Sequence, residues 1–97
     1  MIKVKYNKNY IEVSGHANYD NYGKDIVCAS VSSIIYTTIN GILNIDSGAI
    51  KFSDDLILRI DILKDDKVTK TLIENMIAML MDLSVQYPKN INISKGE

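Results

Sequence analysis

Apolar and charged residues alternate along the first six positions of the chain, which is the period of a half-buried strand. The apolar members of this run are Ile2, Val4 and Tyr6. A polar break at residues 7–9 is followed by a second alternating run that contains Ile11 and Val13. Two alternating runs separated by so short a break predict an amino-terminal β-hairpin.

Two longer segments carry apolar residues at helical spacing. In the first, from Ile26 to Ile45, these residues are Val27, Val31, Ile34, Ile35, Ile39, Ile42 and Leu43. Its many β-branched residues weaken helix propensity, but a strand of this length without a turn would be unusual. We therefore predict a helix that ends at residues 46–48. The second predicted helix is capped by Asp65 or Asp66 and stopped by Pro88.

Between the two helices, residues 56–63 alternate and predict one strand, and Ile91 and Ile93 predict a short last strand. The predicted order is β-β-α-β-α-β. Two amphipathic helices need one sheet face to cover, so the fold class is α+β: a two-layer α/β sandwich with a four-stranded mixed sheet. No internal repeat or linker divides residues 1–97, which we expect to form one domain.

Size and charge narrow the function classes. A chain of 97 residues with 46% hydrophobic content buries a modest core, which makes a homodimer a plausible source of further stability. The net charge of −1, with scattered lysines, lacks the basic surface that nucleic acid binding requires. We find no secretory leader pattern and no apolar run near the ~20 residues of a membrane span. The expected location is the cytosol.

The single histidine and the single cysteine of the chain lie close together, at His16 and Cys28. If Asp25 is the N-cap of the first helix, Cys28 lies in its first turn, where the helix terminus favours a thiolate. His16 leaves the second strand at the same sheet edge, so a Cys–His pair is geometrically feasible. Such a pair can attack a peptide carbonyl and protonate the leaving amine, with the backbone N–H groups of Cys28 and Ala29 as oxyanion donors.

Simpler interpretations of the same residues remain open. A lone cysteine in an apolar helix is often an inert core residue, and a lone histidine is often an ordinary loop residue. Asp25 could be a cap without a catalytic role, and the hydroxyl of Ser32 could bond back to a helical carbonyl. A metal site of His16, Cys28 and Asp25 is disfavoured because zinc takes three or four ligands and the chain has no further cysteine or histidine.

The segments Gly15-His16-Ala17 and Asp25-Ile26-Val27-Cys28-Ala29, with Gly23 between them and Ser32 after them, resemble the signature of the bacterial ribosomal-processing cysteine protease (Prp) family. The resemblance implies that Cys28 is the nucleophile and His16 its base, with Asp25 and Ser32 in supporting positions. It also implies a mobile loop over residues 17–24 with Gly15 and Gly23 as hinges.

Members of that family remove a short amino-terminal extension from a large-subunit ribosomal protein, cutting after an aromatic residue and without a cofactor. Ser30 and Ser33 stand where the family pattern leads us to expect glycine or alanine, a departure that concerns substrate fit. The leading hypothesis is therefore a cysteine endopeptidase that acts on this extension peptide. The contrasting hypotheses are a non-catalytic module that assists ribosome assembly and a structural subunit with no peptide ligand.

Overall fold

The computed structural model describes residues 1–21 and 25–97 as two helices on one face of a sheet. The elements in chain order are β1 (Ile2–Tyr6), β2 (Tyr10–Ser14), α1 (Ile26–Ile45), β3 (Ile50–Asp54), β4 (Leu58–Ile62), α2 (Lys67–Gln86) and β5 (Ile91–Lys95). The amino-terminal hairpin, both helices and the last strand are confirmed. The strand order across the sheet is β3-β4-β2-β1-β5.

The sheet is mixed, as predicted. Strand β1 pairs antiparallel with β2 and parallel with β5, while β4 pairs antiparallel with both β2 and β3. Alternate residues of each strand enter the core beneath the helices, among them Val4, Ile11 and Ile60. The other face carries charged residues, including an ion pair between Arg59 and Glu12 at 2.9 Å. One buried and one polar face is the usual arrangement of a two-layer fold.

The prediction of four strands was wrong, because the segment after α1 forms a hairpin of β3 and β4 rather than one strand. Leu56, which we placed in a strand, lies in the turn between β3 and β4 and is 98% exposed. Ser53, Asp54 and Asp55 do mark a turn, but the apolar residues Leu56 and Ile57 that follow them resemble the start of a strand. The run in β3 is also short, with only Ile50 and Phe52 facing the core.

Both helices begin and end where the sequence predicts. Asp25 caps α1, and α2 begins after Asp66, whose side chain accepts a hydrogen bond from the backbone N–H of Thr69. The buried stripe of α1 consists of Val27, Val31, Ile35, Ile39 and Ile42. Each such side chain contributes about 1.5–3 kcal/mol when fully buried. The two helices therefore pack on the same face of the sheet.

One sequence expectation needs correction. Among the described helices, α1 is long and apolar enough to cross a membrane by length and composition alone, although we expected no run of that kind. Its apolar stripe packs against the sheet in this fold. A core helix with many β-branched residues meets the same criterion as a membrane span.

Three chain segments meet at one end of the sheet. Strand β2 ends at Ser14, opposite Lys3 near the start of β1, and β5 begins at Ile91 beside Ile2. Helix α1 begins directly after the loop that follows β2. The end of β2, the start of α1 and the turn between α2 and β5 therefore surround the same small volume, which contains the thiol of Cys28.

Candidate active site

Asp25 joins the start of α1 to the preceding loop. Its Oδ1 accepts hydrogen bonds from the backbone N–H groups of Val27 at 2.9 Å and Cys28 at 3.0 Å. Its Oδ2 accepts from the N–H groups of Tyr19 at 2.9 Å and Asp20 at 3.4 Å. The predicted N-cap is confirmed, and the same carboxylate also ties two loop residues to the helix.

Electrostatics keep this carboxylate negative. Partial burial by itself would raise the pKa of Asp25, but the four backbone donors, led by the N–H of Cys28, outweigh burial and hold the pKa below its usual range. No hydrogen bond joins Asp25 to His16 among the described residues. Both oxygens of the carboxylate accept from backbone N–H groups, so the structure gives Asp25 no contact through which to orient the imidazole.

The thiol of Cys28 accepts a hydrogen bond from the loop. The backbone N–H of Ala17 lies 3.4 Å from Sγ of Cys28, and the methyl group of Ala17 is fully buried in the core. Cys28 itself is half-buried. Since Ala17 directly follows His16, the structure places the backbone beside the only histidine against the only thiol of the chain.

The side chain of His16 is not engaged with that thiol in this conformation. The residue is exposed, and no hydrogen bond between its imidazole and Sγ of Cys28 occurs in the part of the chain that the structure describes. The structure therefore brings the two residues together through the backbone and leaves the imidazole in solvent.

Both predicted oxyanion donors are occupied in this conformation. The N–H of Cys28 donates to Oδ1 of Asp25, and the N–H of Ala29 donates to the backbone oxygen of Asp25 at 3.1 Å. An amide of the first helical turn is free only when the N-cap side chain does not accept from it. The strong cap at Asp25 thus competes with an oxyanion for the N–H of Cys28.

The remaining predicted residues occupy distinct places. Ser32 lies one turn after Cys28 on α1 and is exposed. On α1 near Cys28, it is Ser30 that bonds back to a helical carbonyl, with its Oγ donating to the oxygen of Ile26 at 2.7 Å. The predicted hinge Gly23 lies outside the described residues.

Gly15 occupies a position that only glycine fits. Its φ is +84°, and a Cβ built there would lie 2.3 Å from the backbone oxygen of Met1. Real Cβ atoms do not approach an oxygen so closely, and a left-handed backbone disfavours side chains. This tight corner sets the direction in which the chain leaves β2 toward His16.

Two residues that we did not predict support the loop from the turn between α2 and β5. The side-chain amide of Asn90 donates from Nδ2 to the backbone oxygen of Ala17 at 2.9 Å. The ring of Tyr87 packs edge-on against the ring of Tyr19, with centroids 5.3 Å apart. Pro88 marks a turn here, but 73 residues separate Asn90 from Ala17, and no local pattern indicates so distant a contact.

Two open grooves flank the sheet and helices. The larger, of about 830 Å³, lies near the β1–β2 turn and the start of α2, at the end of the sheet opposite Cys28. The smaller, of about 710 Å³, runs between α1 and α2 and includes Ile26 and Ala29 at the start of α1. Its lining includes Ser30 and Ser33, the two positions that depart from the expected pattern. Cys28 does not line this groove, because at 100° per residue its side chain lies on the opposite side of α1 from Ile26 and Ser30.

Known proteins share both the sequence pattern and the fold. Residues 1–92 match the family profile described as cysteine protease Prp. The ribosomal processing cysteine protease Prp of Staphylococcus aureus (strain Mu50) is 27% identical over 88 residues, which cover 84% of this chain and 81% of that protein. The corresponding protein of Mycoplasma genitalium is 36% identical over 55 residues, covering 57% of this chain and 52% of its own.

Solved structures agree closely with the fold. The essential ribosomal processing protease Prp of S. aureus with a covalently linked product peptide matches with a TM-score of 0.88 at 21% identity, covering 98% of this chain and 97% of that chain. The complex of the same protease with a substrate peptide matches with a TM-score of 0.81 at 20% identity and the same coverage. A protein from Streptococcus mutans matches with a TM-score of 0.78 at 22% identity, covering 97% and 90%.

Proposed function

Because this chain belongs to the cysteine protease Prp family and is a cysteine protease, we propose that Cys28 is its nucleophile and His16 its general base. The observation that carries this proposal is the hydrogen bond from the N–H of Ala17 to Sγ of Cys28. It fixes the residue after His16 against the thiol. We therefore propose that His16 and Cys28 come into contact when the side chain of His16 rotates, without displacement of its backbone.

The proposed reaction proceeds through a thioester. The Cys28 thiolate attacks the carbonyl carbon of the scissile peptide, the tetrahedral intermediate collapses, and the C–N bond breaks. The His16 imidazolium gives its proton to the leaving amine. Neutral His16 then takes a proton from water, the hydroxide attacks the thioester carbonyl, and the thiolate is released. The carboxyl product leaves and the dyad returns to its starting protonation.

Stabilisation of the oxyanion requires a change at the helix start. The N–H of Cys28 donates to Asp25 in this conformation, so it can serve the oxyanion only when Oδ1 releases it. We assign that release to peptide binding. The N–H of Ala29 takes part in a helical hydrogen bond to the oxygen of Asp25, which makes Cys28 the better donor of the two. Ser32 remains a supporting residue by its position one turn beyond the thiol.

The proposed substrate is the amino-terminal extension of a large-subunit ribosomal protein. The comparison proteins named ribosomal processing cysteine protease support this choice. The groove between α1 and α2 also supports it, because Ile26, Ile34, Met79 and Leu83 give it an apolar lining that suits an aromatic side chain. Since Cys28 faces away from this groove, a peptide seated in it would reach the thiol by passing around the start of α1.

We also propose that the protein acts in the cytosol, where ribosomal proteins are made, and as a homodimer. The modest core of a 97-residue chain supports a dimer, since association with a second copy adds stability. A net charge of −1 supports a protein partner rather than direct nucleic acid binding. Light scattering after size exclusion measures the oligomeric state. A mass of one chain at all concentrations would contradict the homodimer.

The decisive experiment uses a peptide that spans the extension junction of the ribosomal protein from the same organism. It is incubated with the wild type, Cys28→Ala and His16→Ala, and the products are measured by mass spectrometry. We expect one cut, after an aromatic residue, with the wild type only. Peptide that stays intact in all three samples yet binds would indicate an assembly module instead. Cleavage by Cys28→Ala would exclude this cysteine as the nucleophile.

A further inference from the structure

We infer that Asn90 is a positioning residue for the thiol, acting through the backbone of Ala17. This inference rests on the proposed role of Cys28 and extends it to a residue far along the chain. The contact has two links: Nδ2 of Asn90 donates to the oxygen of Ala17 at 2.9 Å, and the N–H of Ala17 donates to Sγ of Cys28 at 3.4 Å.

Asn90 is itself held firmly by the sheet edge. Its backbone N–H donates to the oxygen of Tyr87 at 3.0 Å, and its backbone oxygen accepts from the N–H of Ile2 at 2.8 Å. Ile2 is the first residue of β1, and Ile91, the next residue, begins β5. The side-chain amide therefore projects from a backbone that is fixed on both sides, as a rigid donor should.

Ala17 is held on three sides. Its methyl group is fully buried in the core, its carbonyl accepts from Asn90, and its N–H faces the thiol. Of these, the Asn90 contact is the one that a side chain outside the proposed catalytic residues supplies. If it is lost, the peptide on the carboxyl side of Ala17 is free to turn, and the Cα of Ala17, which also carries the peptide whose N–H faces Sγ, loses an anchor.

A directed N–H group affects the chemistry of the thiol. A hydrogen bond to a thiolate is stronger than one to a neutral thiol, so a fixed donor favours the reactive form and holds Sγ in one direction. A mobile donor favours the thiolate less and fixes the direction of Sγ less well. Since His16 directly precedes Ala17, the same contact also keeps the proposed base close to the thiol. Asn90 touches neither the thiol nor the imidazole and is therefore not a catalytic residue.

The test measures thiol reactivity, because a merely structural role of Asn90 would leave it unchanged. Alkylation of Cys28 by iodoacetamide is followed as a function of pH in the wild type and in Asn90→Leu, which keeps the branched shape and removes the donor. We expect the rate near neutral pH to fall roughly 3- to 10-fold, the size of one net hydrogen bond. The midpoint of the pH profile should move upward.

Two controls isolate the contact. Asn92→Leu makes the same chemical change two residues later on β5, at an exposed position, and should leave alkylation unchanged. Asp66→Ala removes the N-cap of α2 and lowers stability without touching the loop, so it shows whether lost stability alone alters the rate. Should Asn90→Leu fail to fold, Asn90→Ala serves the same test, since it also removes the donor and adds no charge near the thiol.

The outcomes separate this inference from the proposed function. An unchanged pH profile in a folded Asn90 variant would overturn the role of Asn90, even if the wild type cleaves the junction peptide. A shifted pH profile of alkylation, together with a fall in kcat that is larger than any change in KM, would support the role of Asn90. A shifted profile together with a wild type that does not cut the junction peptide would instead overturn the proposed substrate while leaving the effect of Asn90 on the thiol intact.

Discussion

Replacement of Gly15 by alanine tests whether the corner after β2 is as constrained as its geometry indicates. The φ of +84° costs an alanine about 1–2 kcal/mol. The new Cβ would meet the Met1 oxygen at 2.3 Å, a backbone atom that cannot rotate away as a side chain can. Overpacking of this kind adds about 1–3 kcal/mol. We therefore expect Gly15→Ala to lower the free energy of unfolding by about 2–5 kcal/mol.

Gly41 provides the matched control, because it lies within α1 and a Cβ there meets no atom within 4 Å. Gly41→Ala should raise stability by about 0.5–1 kcal/mol, since alanine is the better helix former. Urea denaturation with intrinsic tyrosine fluorescence measures both variants. In a domain of this size, the loss expected for Gly15→Ala corresponds to a fall in Tm of at least about 8 °C. Equal stability of Gly15→Ala and wild type would refute the account of this corner.

Three further predictions concern the helix start and the groove. Asp25→Asn should lower Tm more than Asp66→Asn in thermal melts, because Asp25 accepts from four backbone N–H groups and Asp66 from one; equal losses would contradict a loop tether. Burial alone would raise the pKa of Asp25, but its backbone donors lower it below the usual range. The stabilising effect of the carboxylate is therefore present above the pKa of the unfolded chain, and it is lost as the pH falls through the lower pKa of the folded state. Melts in an acidic pH series should therefore show the wild type converging on Asp25→Asn, and a constant gap would disprove this. Ser33→Tyr should fill the groove and raise KM severalfold at an unchanged alkylation rate of Cys28, whereas an unchanged KM would place the peptide elsewhere.

The helices and the N-cap could be predicted because their signals are local. The stripe of α1 and the carboxylate of Asp25 are read from spacing and from the first turn alone. The β3–β4 hairpin was missed because its turn carries Leu56, an apolar residue that in a pattern resembles a continuing strand. Although Ser53, Asp54 and Asp55 precede Leu56, local hydrophobicity does not distinguish a core position from an exposed tip when the turn itself contains apolar residues.

The helices, the mixed sheet and the presence of the only histidine and the only cysteine in one segment follow from the order of residues, because periodicity and capping act within a few residues. How that segment is held depends on contacts between distant parts of the chain. Asn90 reaches Ala17 from the far end of the chain, and Gly15 turns in a space closed by Met1. The direction of the Ala17 N–H toward the thiol depends on these distant contacts, which arise only when the strands pair and bring remote residues to one sheet edge.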